Sequence, residues 1–432
     1  MQRLLLLGLV CVAGVAAAQP TEPVPGDPPA QPPPDPAPPA PTPVPVPAPA
    51  AVPVPVQAPE PEPPRDDVNY EPSSVQLGGF LQTQFRSRED SNSTFDSDDT
   101  NGFRLARVRL TGLGQTRSGN LELSAYVEAE LQPNFFLADG YATVARALPK
   151  HGRISLDGGQ MRVPISRQNL LSDSRLAFVD KAQLATIAPE RDLGARLTLD
   201  LPRPDKRRRK AFQLPGLRLV GGVFNGEGPN QVENINQRYF YVGRAELTLI
   251  GKERQLAESS FSGKFLTIAG SVGRNARSEG GRLDTVLYRG IDISGAYRGL
   301  SGSFEYLDVG HSQTQGGVDD PNTEDFHANG FTAQLCYLLP FKLPPHDQAR
   351  FELGFRVEEI DRNDAIPIVQ PADPGQSVRA ITAVASYYLR MHTLKAQLAY
   401  TSFNELEDRT ASGDNAAFAN DQLLLQVTYR ME

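Results

Sequence analysis

The chain has no tryptophan, only two cysteines and four methionines, and no apolar stretch beyond residue 20 long enough to cross a bilayer as a helix. Each scarcity excludes something. A spanning helix needs about 20 consecutive apolar residues, so a helical anchor after the leader is ruled out. Cys11 lies inside the leader, which leaves Cys336 as the one thiol of the processed chain and excludes a disulfide scaffold. Basic residues number 43 against 51 acidic ones, a formal charge of −8, whereas a nucleic-acid binder shows a basic excess. None of this argues against a membrane β-barrel, whose strands do not register as long apolar runs.

Proline is plentiful, with 38 residues, 22 of them within the first 65. Residues 1–18 read as a signal peptide: Arg3 supplies the positive charge, Leu4 to Val15 the apolar stretch, and Ala16-Ala17-Ala18 the small-residue cleavage site. Residues 19–70 read as a disordered Pro/Ala-rich spacer. Runs such as Thr42-Pro43-Val44-Pro45-Val46-Pro47 fix φ and remove backbone donors, so they favour polyproline II over a packed fold. Its segment 19–65 is a candidate tether to the cell wall.

From residue 71 to 432 the chain alternates. Leu121, Leu123, Ala125, Val127, Ala129 and Leu131 share one parity; Glu122, Ser124, Tyr126, Glu128 and Glu130 share the other. Period two means a strand with one apolar and one polar face. The pattern repeats over 75–87, 103–113, 119–131, 137–146, 152–163, 191–201, 217–225, 239–250, 264–274, 284–297, 300–309, 327–338, 349–361, 378–390, 393–403 and 421–431. These are sixteen strands. Many are longer than the five or six residues usual in globular sheets, and about 9–11 suffice to span a bilayer when tilted. The polar faces carry several charges each, which suits a wet lumen. The expected fold is therefore all-β: a transmembrane antiparallel β-barrel of about 16 strands, in an outer membrane, with the N-terminal spacer periplasmic. Long connections such as 164–190 then lie outside. The short turns lie inside, except 202–216, which carries Lys206-Arg207-Arg208-Arg209-Lys210.

Four stretches resemble the phosphate-selective porin O/P family of bacterial outer membranes. They are Arg104-Leu105-Ala106-Arg107-Val108-Arg109-Leu110-Thr111-Gly112, Gly159-Gln160-Met161-Arg162-Val163-Pro164, Phe178-Val179-Asp180-Lys181 and Pro189-Glu190-Arg191-Asp192-Leu193-Gly194. The resemblance implies a water-filled channel for small hydrophilic solutes, narrowed by the long loop 164–190. The chain holds only eight lysines, where phosphate-specific members use lysine clusters. A weak preference for anions is therefore the expectation, rather than phosphate specificity.

Parity directs Arg107, Arg109 and Arg196 into the lumen, and Arg162 with them if a bulge at Gly158-Gly159 shifts the phase. Arg167 lies in the long loop. These five arginines are the candidate pore-lining, anion-binding residues, opposed by Glu122, Glu128 and Glu130. Arginines at a constriction attract anions, but the same charges also suit cross-strand bridges that stiffen the wall. The five histidines form no spaced metal pair and no Gly-x-Ser-x-Gly elbow occurs, so no catalytic, cofactor or metal-binding residue is assigned. The expected partners are outer-membrane lipid and small anions or other hydrophilic solutes, with a homotrimer as candidate assembly. A structural or adhesin barrel without conductance is the alternative.

Overall fold

The computed structural model describes residues 73–88, 101–132, 134–149, 152–201, 215–251, 257–279, 282–315, 318–319, 325–341, 349–362, 377–405 and 421–431. The leader, the proline-rich spacer and the basic run 206–210 lie outside the described residues.

Every expected strand is present. The strands are β1 (Ser74–Arg88), β2 (Gly102–Ser118), β3 (Leu121–Gln132), β4 (Phe136–Ala147), β5 (Arg153–Arg162), β6 (Arg191–Leu201), β7 (Gly216–Phe224), β8 (Phe240–Gly251), β9 (Phe265–Glu279), β10 (Arg282–Tyr297) and β11 (Leu300–Gln315). There follow β12 (Val318–Asp319), β13 (Phe326–Leu338), β14 (Arg350–Asp361), β15 (Ser377–Arg390), β16 (Leu394–Glu405) and β17 (Gln422–Met431). The two-residue β12 only extends the edge of β11, so sixteen strands build the wall. Each pairs antiparallel with its chain neighbours, and β1 pairs with β17, Gly79 facing Met431, which closes the ring. Closure by antiparallel first and last strands requires an even count, as in single-chain bacterial barrels.

Four connections at one end are tight, but besides the one expected between β6 and β7, those from Gly251 to Phe265 and from Leu338 to Arg350 are also long. The β10–β11 turn is Arg298-Gly299, both at positive φ (50° and 90°), the type I′ geometry that matches strand twist. At the other end, most are long. One differs from the sequence reading: β9 and β10 extend beyond residues 274 and 284 to Glu279 and Arg282, so the connection expected over 275–283 shrinks to two residues.

The apolar parity faces outward. Leu123, Val127, Leu156, Leu197, Ile291, Leu335, Phe355, Leu398 and Leu425 are all exposed. So many exposed apolar side chains around a closed wall suit a hydrocarbon solvent and would be costly in water.

The inward face is not uniformly polar. Between β5 and β6 the chain leaves the wall and folds into the barrel, with helix α1 (Arg167–Leu170) capped by Ser166 and short 3-10 turns at Asp173–Arg175 and Gln183–Ile187. Val163, Ile165, Ala182 and Leu184 of this loop pack on Phe224, Phe240, Val286, Tyr288, Leu307 and Val309 of the wall. Ala177, Phe178 and Val179 pack on Cys336, Val384, Ala399 and Leu424. Strand β10 shows why: Val286, Leu287 and Tyr288 are consecutive apolar residues, the outward one for lipid and the inward two for the loop.

Candidate functional site: the lumenal loop and its ionic network

The loop between β5 and β6 is held by its backbone. Three carboxylates accept its amides: Glu305 from Arg167 (2.8 Å) and Gln168 (3.2 Å), Glu258 from Ala177 (2.7 Å), and Glu358 from Gln183 (2.7 Å). Wall side chains donate to its carbonyls in turn. Arg244 and Ser271 reach Ile165 O, Arg162 reaches Leu170 O, Gln82 reaches Asp173 O, Lys395 reaches Leu176 O, Gln397 reaches Ala177 O and Arg356 reaches Asp180 O. A segment without ladder partners must satisfy its buried polar groups somewhere, and here inward polar residues of the wall do it.

This corrects the picture of a wholly wet lumen. Lys395, Glu305 and Glu358 are almost fully buried against the loop. Charged hydrogen bonds of this kind are each worth roughly 1.5–3 kcal/mol.

On the side of β1 to β6 the loop meets an interlocked set of charges. Arg107 and Arg109 both pair with Asp173 (3.0 and 2.9 Å). Arg109 also pairs with Glu128 (3.0 Å) and Glu130. Arg162 approaches Glu128 (3.9 Å) and Asp139 (3.7 Å). Arg191 pairs with Glu128, Asp139 and Glu190, and Lys181 with Glu190 (2.7 Å). Arg196 pairs with Asp157 (2.9 Å) and lies over the Tyr141 ring. Six cations thus meet six carboxylates, and the set is formally neutral.

Burial alone would raise the pKa of Asp173, but the charges of Lys181, Arg107, Arg109 and Arg162 outweigh it and hold this carboxyl well below the usual range. Burial also opposes ionisation of Glu190, yet Lys181 and Arg191 pull its pKa down to about 2. Lys181 is lowered by burial, against the pull of Asp173 and Glu190.

Beside this network lies a cavity of about 620 Å³. Tyr126, Glu128, Asp139, Tyr141, Arg162 and Arg196 line the wall, Leu170, Ser172 and Arg175 line the loop, and Gln76 and Arg430 lie at the short-turn end. The opposite half of the lumen is packed by the apolar clusters.

Of the sequence candidates, the structure brings Arg107, Arg109, Arg162, Arg196, Glu128 and Glu130 together here. It separates two. Arg167 is buried on the far side of the loop, lining a small void with Glu258, Ser294 and Ser301, because α1 turns it away from the cavity. Glu122 pairs with Arg117 (3.6 Å) and Arg153 (2.9 Å) beside the β2–β3 turn, at the barrel rim. The expected bulge at Gly158-Gly159 is not present, since β4 and β5 pair in unbroken register. Instead Gly159 takes φ +134°, which re-aims the strand end; Gln160 and Met161 are both buried and Arg162 reaches the network.

Asp139, Asp157 and Arg191 are not among the residues that parity marks, while Asp173, Lys181 and Glu190 are legible in the sequence as charges of the long loop 164–190. Arg191 lies in a stretch marked by motif, so its recruitment was within reach. Glu258 was not, and the only signal for it is length: its connection spans from Gly251 to Phe265, against two residues at the β2–β3 and β10–β11 turns. Among the described residues no group of His, Cys, Asp and Glu is arranged to hold a metal ion.

Neither a family model nor a curated relative matches the chain. Solved structures do match its fold. An anion-selective porin from Comamonas acidovorans aligns with a TM-score of 0.51 at 13% identity, over 83% of this chain and 99% of that one. In-vitro folded OmpT, an outer-membrane protein of Vibrio cholerae in trimer form, aligns with a TM-score of 0.51 at 10% identity, over 83% and 100%. The outer-membrane channel DcaP of Acinetobacter baumannii aligns with a TM-score of 0.50 at 11% identity, over 83% and 97%. The chain therefore has the fold of outer-membrane β-barrels of the porin type.

Proposed function

We propose that the protein is an outer-membrane porin: a narrow, water-filled channel for passive diffusion of small hydrophilic solutes. The observation that carries this reading is the charged cavity beside an inward-folded loop, inside a closed barrel with an apolar exterior. The path runs along the wall of β1 to β6, where the lumen is not packed. Its selectivity is a weak preference for anions. The paired network is formally neutral, so only a small excess of field from Arg107, the most exposed of its arginines at 30%, acts on a passing ion. The four motifs resembling the phosphate-selective porin O/P family support the same channel class, and the paired charges argue against a strong phosphate filter.

In this reading the short-turn end faces the periplasm, the spacer 19–70 lies there, and 19–65 contacts the cell wall. Assembly as a homotrimer is supported by the trimer form of the fold-related OmpT. Planar-bilayer recording of the purified protein tests the channel: stepwise currents are expected, and a sealed bilayer at high protein concentration contradicts it. One observation favours the non-conducting alternative, a structural barrel: Leu171, Asp173, Ala177 and Phe178 in the middle of the loop are each at most about 1% exposed. The same recording decides between the two.

A further inference from the structure

The lumen is entered from both ends. Strands β8 and β9 are joined at the short-turn end, yet Ala257, Glu258 and Ser259 of that connection are buried inside the barrel. Glu258 is tied at every polar atom of its backbone and side chain. Its amide donates to Arg175 O (3.1 Å) and its carbonyl accepts from His392 Nε2 (3.1 Å). One carboxylate oxygen accepts from Ala177 N (2.7 Å); the other accepts from Gln168 Nε2 (3.3 Å) and from Gln334 Nε2. Next to it Ser259 sits at φ +75° and donates to Glu352 (2.7 Å), whose second oxygen accepts from Tyr388 (2.7 Å). A non-glycine residue in that backbone region persists only where its surroundings over-determine it. Phe261 stands edge-on to Tyr388 at 4.9 Å.

We propose that Ala257–Ser262 is a second constriction element, entering from the end opposite the long loop, and that Glu258 is the positioning residue that holds the middle of that loop across the lumen. The channel role rests on the function proposed above. Of the three carboxylates that take loop amides, Glu305 and Glu358 stand on wall strands, where the hydrogen-bond ladder fixes them. Glu258 alone comes from a connection. The clamp thus joins two segments that each lack ladder pairing, and its chemistry is specific. Three N–H donors converge on one carboxylate. A glutamine offers one acceptor oxygen and turns an amide NH₂ toward a donor, so even a near-isosteric replacement breaks a contact.

The test is site-resolved hydrogen exchange together with single-channel recording on Glu258→Ala and Glu258→Gln in the full-length barrel. In Glu258→Ala the Ala177 amide is expected to exchange about tenfold faster or more, as loss of a charged hydrogen bond implies, while the Arg167 and Gln183 amides keep their protection. Glu258→Gln is expected to shift the same amide in the same direction by less, and it keeps the proposal testable if the alanine variant does not fold. Conductance of both is expected to rise, with added open-channel noise. Unchanged protection of Ala177 in a folded variant overturns the positioning role. Faster exchange with unchanged conductance overturns the constriction role. A wild type that carries no current removes the channel reading and the constriction with it, while exchange still decides whether Glu258 holds the loop.

Discussion

Replacing Asp173 by Asn removes one negative charge from the network without changing its volume. Asp173 is almost fully buried and pairs with Arg107 and Arg109. The six carboxylates become five against six cations, a net gain of one positive charge beside the cavity. For an ion about 6 Å away, a unit charge in a water-like dielectric contributes about 0.7 kcal/mol, and a Debye length of about 8 Å at physiological salt cuts this to roughly 0.3 kcal/mol. An anion gains that amount and a cation loses it, so the permeability ratio moves toward anions by about 0.6 kcal/mol, roughly threefold. Breaking a buried pair costs about 3–5 kcal/mol of stability, and the low end applies because Arg109 keeps Glu128 and Glu130. The assay is the reversal potential in a KCl gradient, on protein whose heat-modifiable gel mobility shows that it is folded. A folded variant whose reversal potential equals that of wild type would refute the placement of this network at the conducting path.

Further outcomes follow from the same geometry. Arg162→Gln removes a cation that lines the cavity and is expected to move the reversal potential toward cations, whereas Glu122→Gln, at the rim, is expected to leave it in place. The folded pKa of Glu190 is depressed to about 2, so its contribution to loop anchoring is complete above the ordinary value near 4.3 and lost as pH falls from there toward 2. Its side chain is 41% exposed, so high salt is expected to blunt that loss when loop exchange is followed against pH. The pKa of buried His392 is pushed well down, by burial first and then by Lys395, so the folded ring stays neutral while it donates to the Glu258 carbonyl, and the stability its burial contributes is complete above about pH 6.5 and falls on acidification as opened states take up the proton. Protection around 257–262, taken against the intrinsic exchange rate at each pH, is expected to fall between pH 7 and 5 in wild type, and to lose that pH dependence in His392→Gln.

The wall was legible because period-two alternation reports a two-faced strand regardless of what lies on either side. Strand β6 was read to the residue, Arg191–Leu201. What alternation does not carry is the partner of an inward polar residue. Lys395 and Glu305 stand on polar strand faces, which suit a wet lumen, and are in fact bound to the loop backbone, because a carbonyl or amide from a distant segment replaces water without leaving a local trace. Arg167 shows the complementary limit. Its charge and its loop were readable, but the face of α1 that it occupies depends on the Glu305 contact, which spans 138 residues. The inward apolar residues Val286 and Tyr288 were in plain view as a local failure of alternation, and they mark where the loop packs.

Single-channel recording of the wild-type protein in a planar bilayer under asymmetric KCl tests the central claim most directly. Small, stepwise currents are expected, with a reversal potential displaced slightly to the anion side, as a narrow path beside a charge-balanced network requires. Absence of steps, or a strong preference for phosphate over chloride, would contradict it.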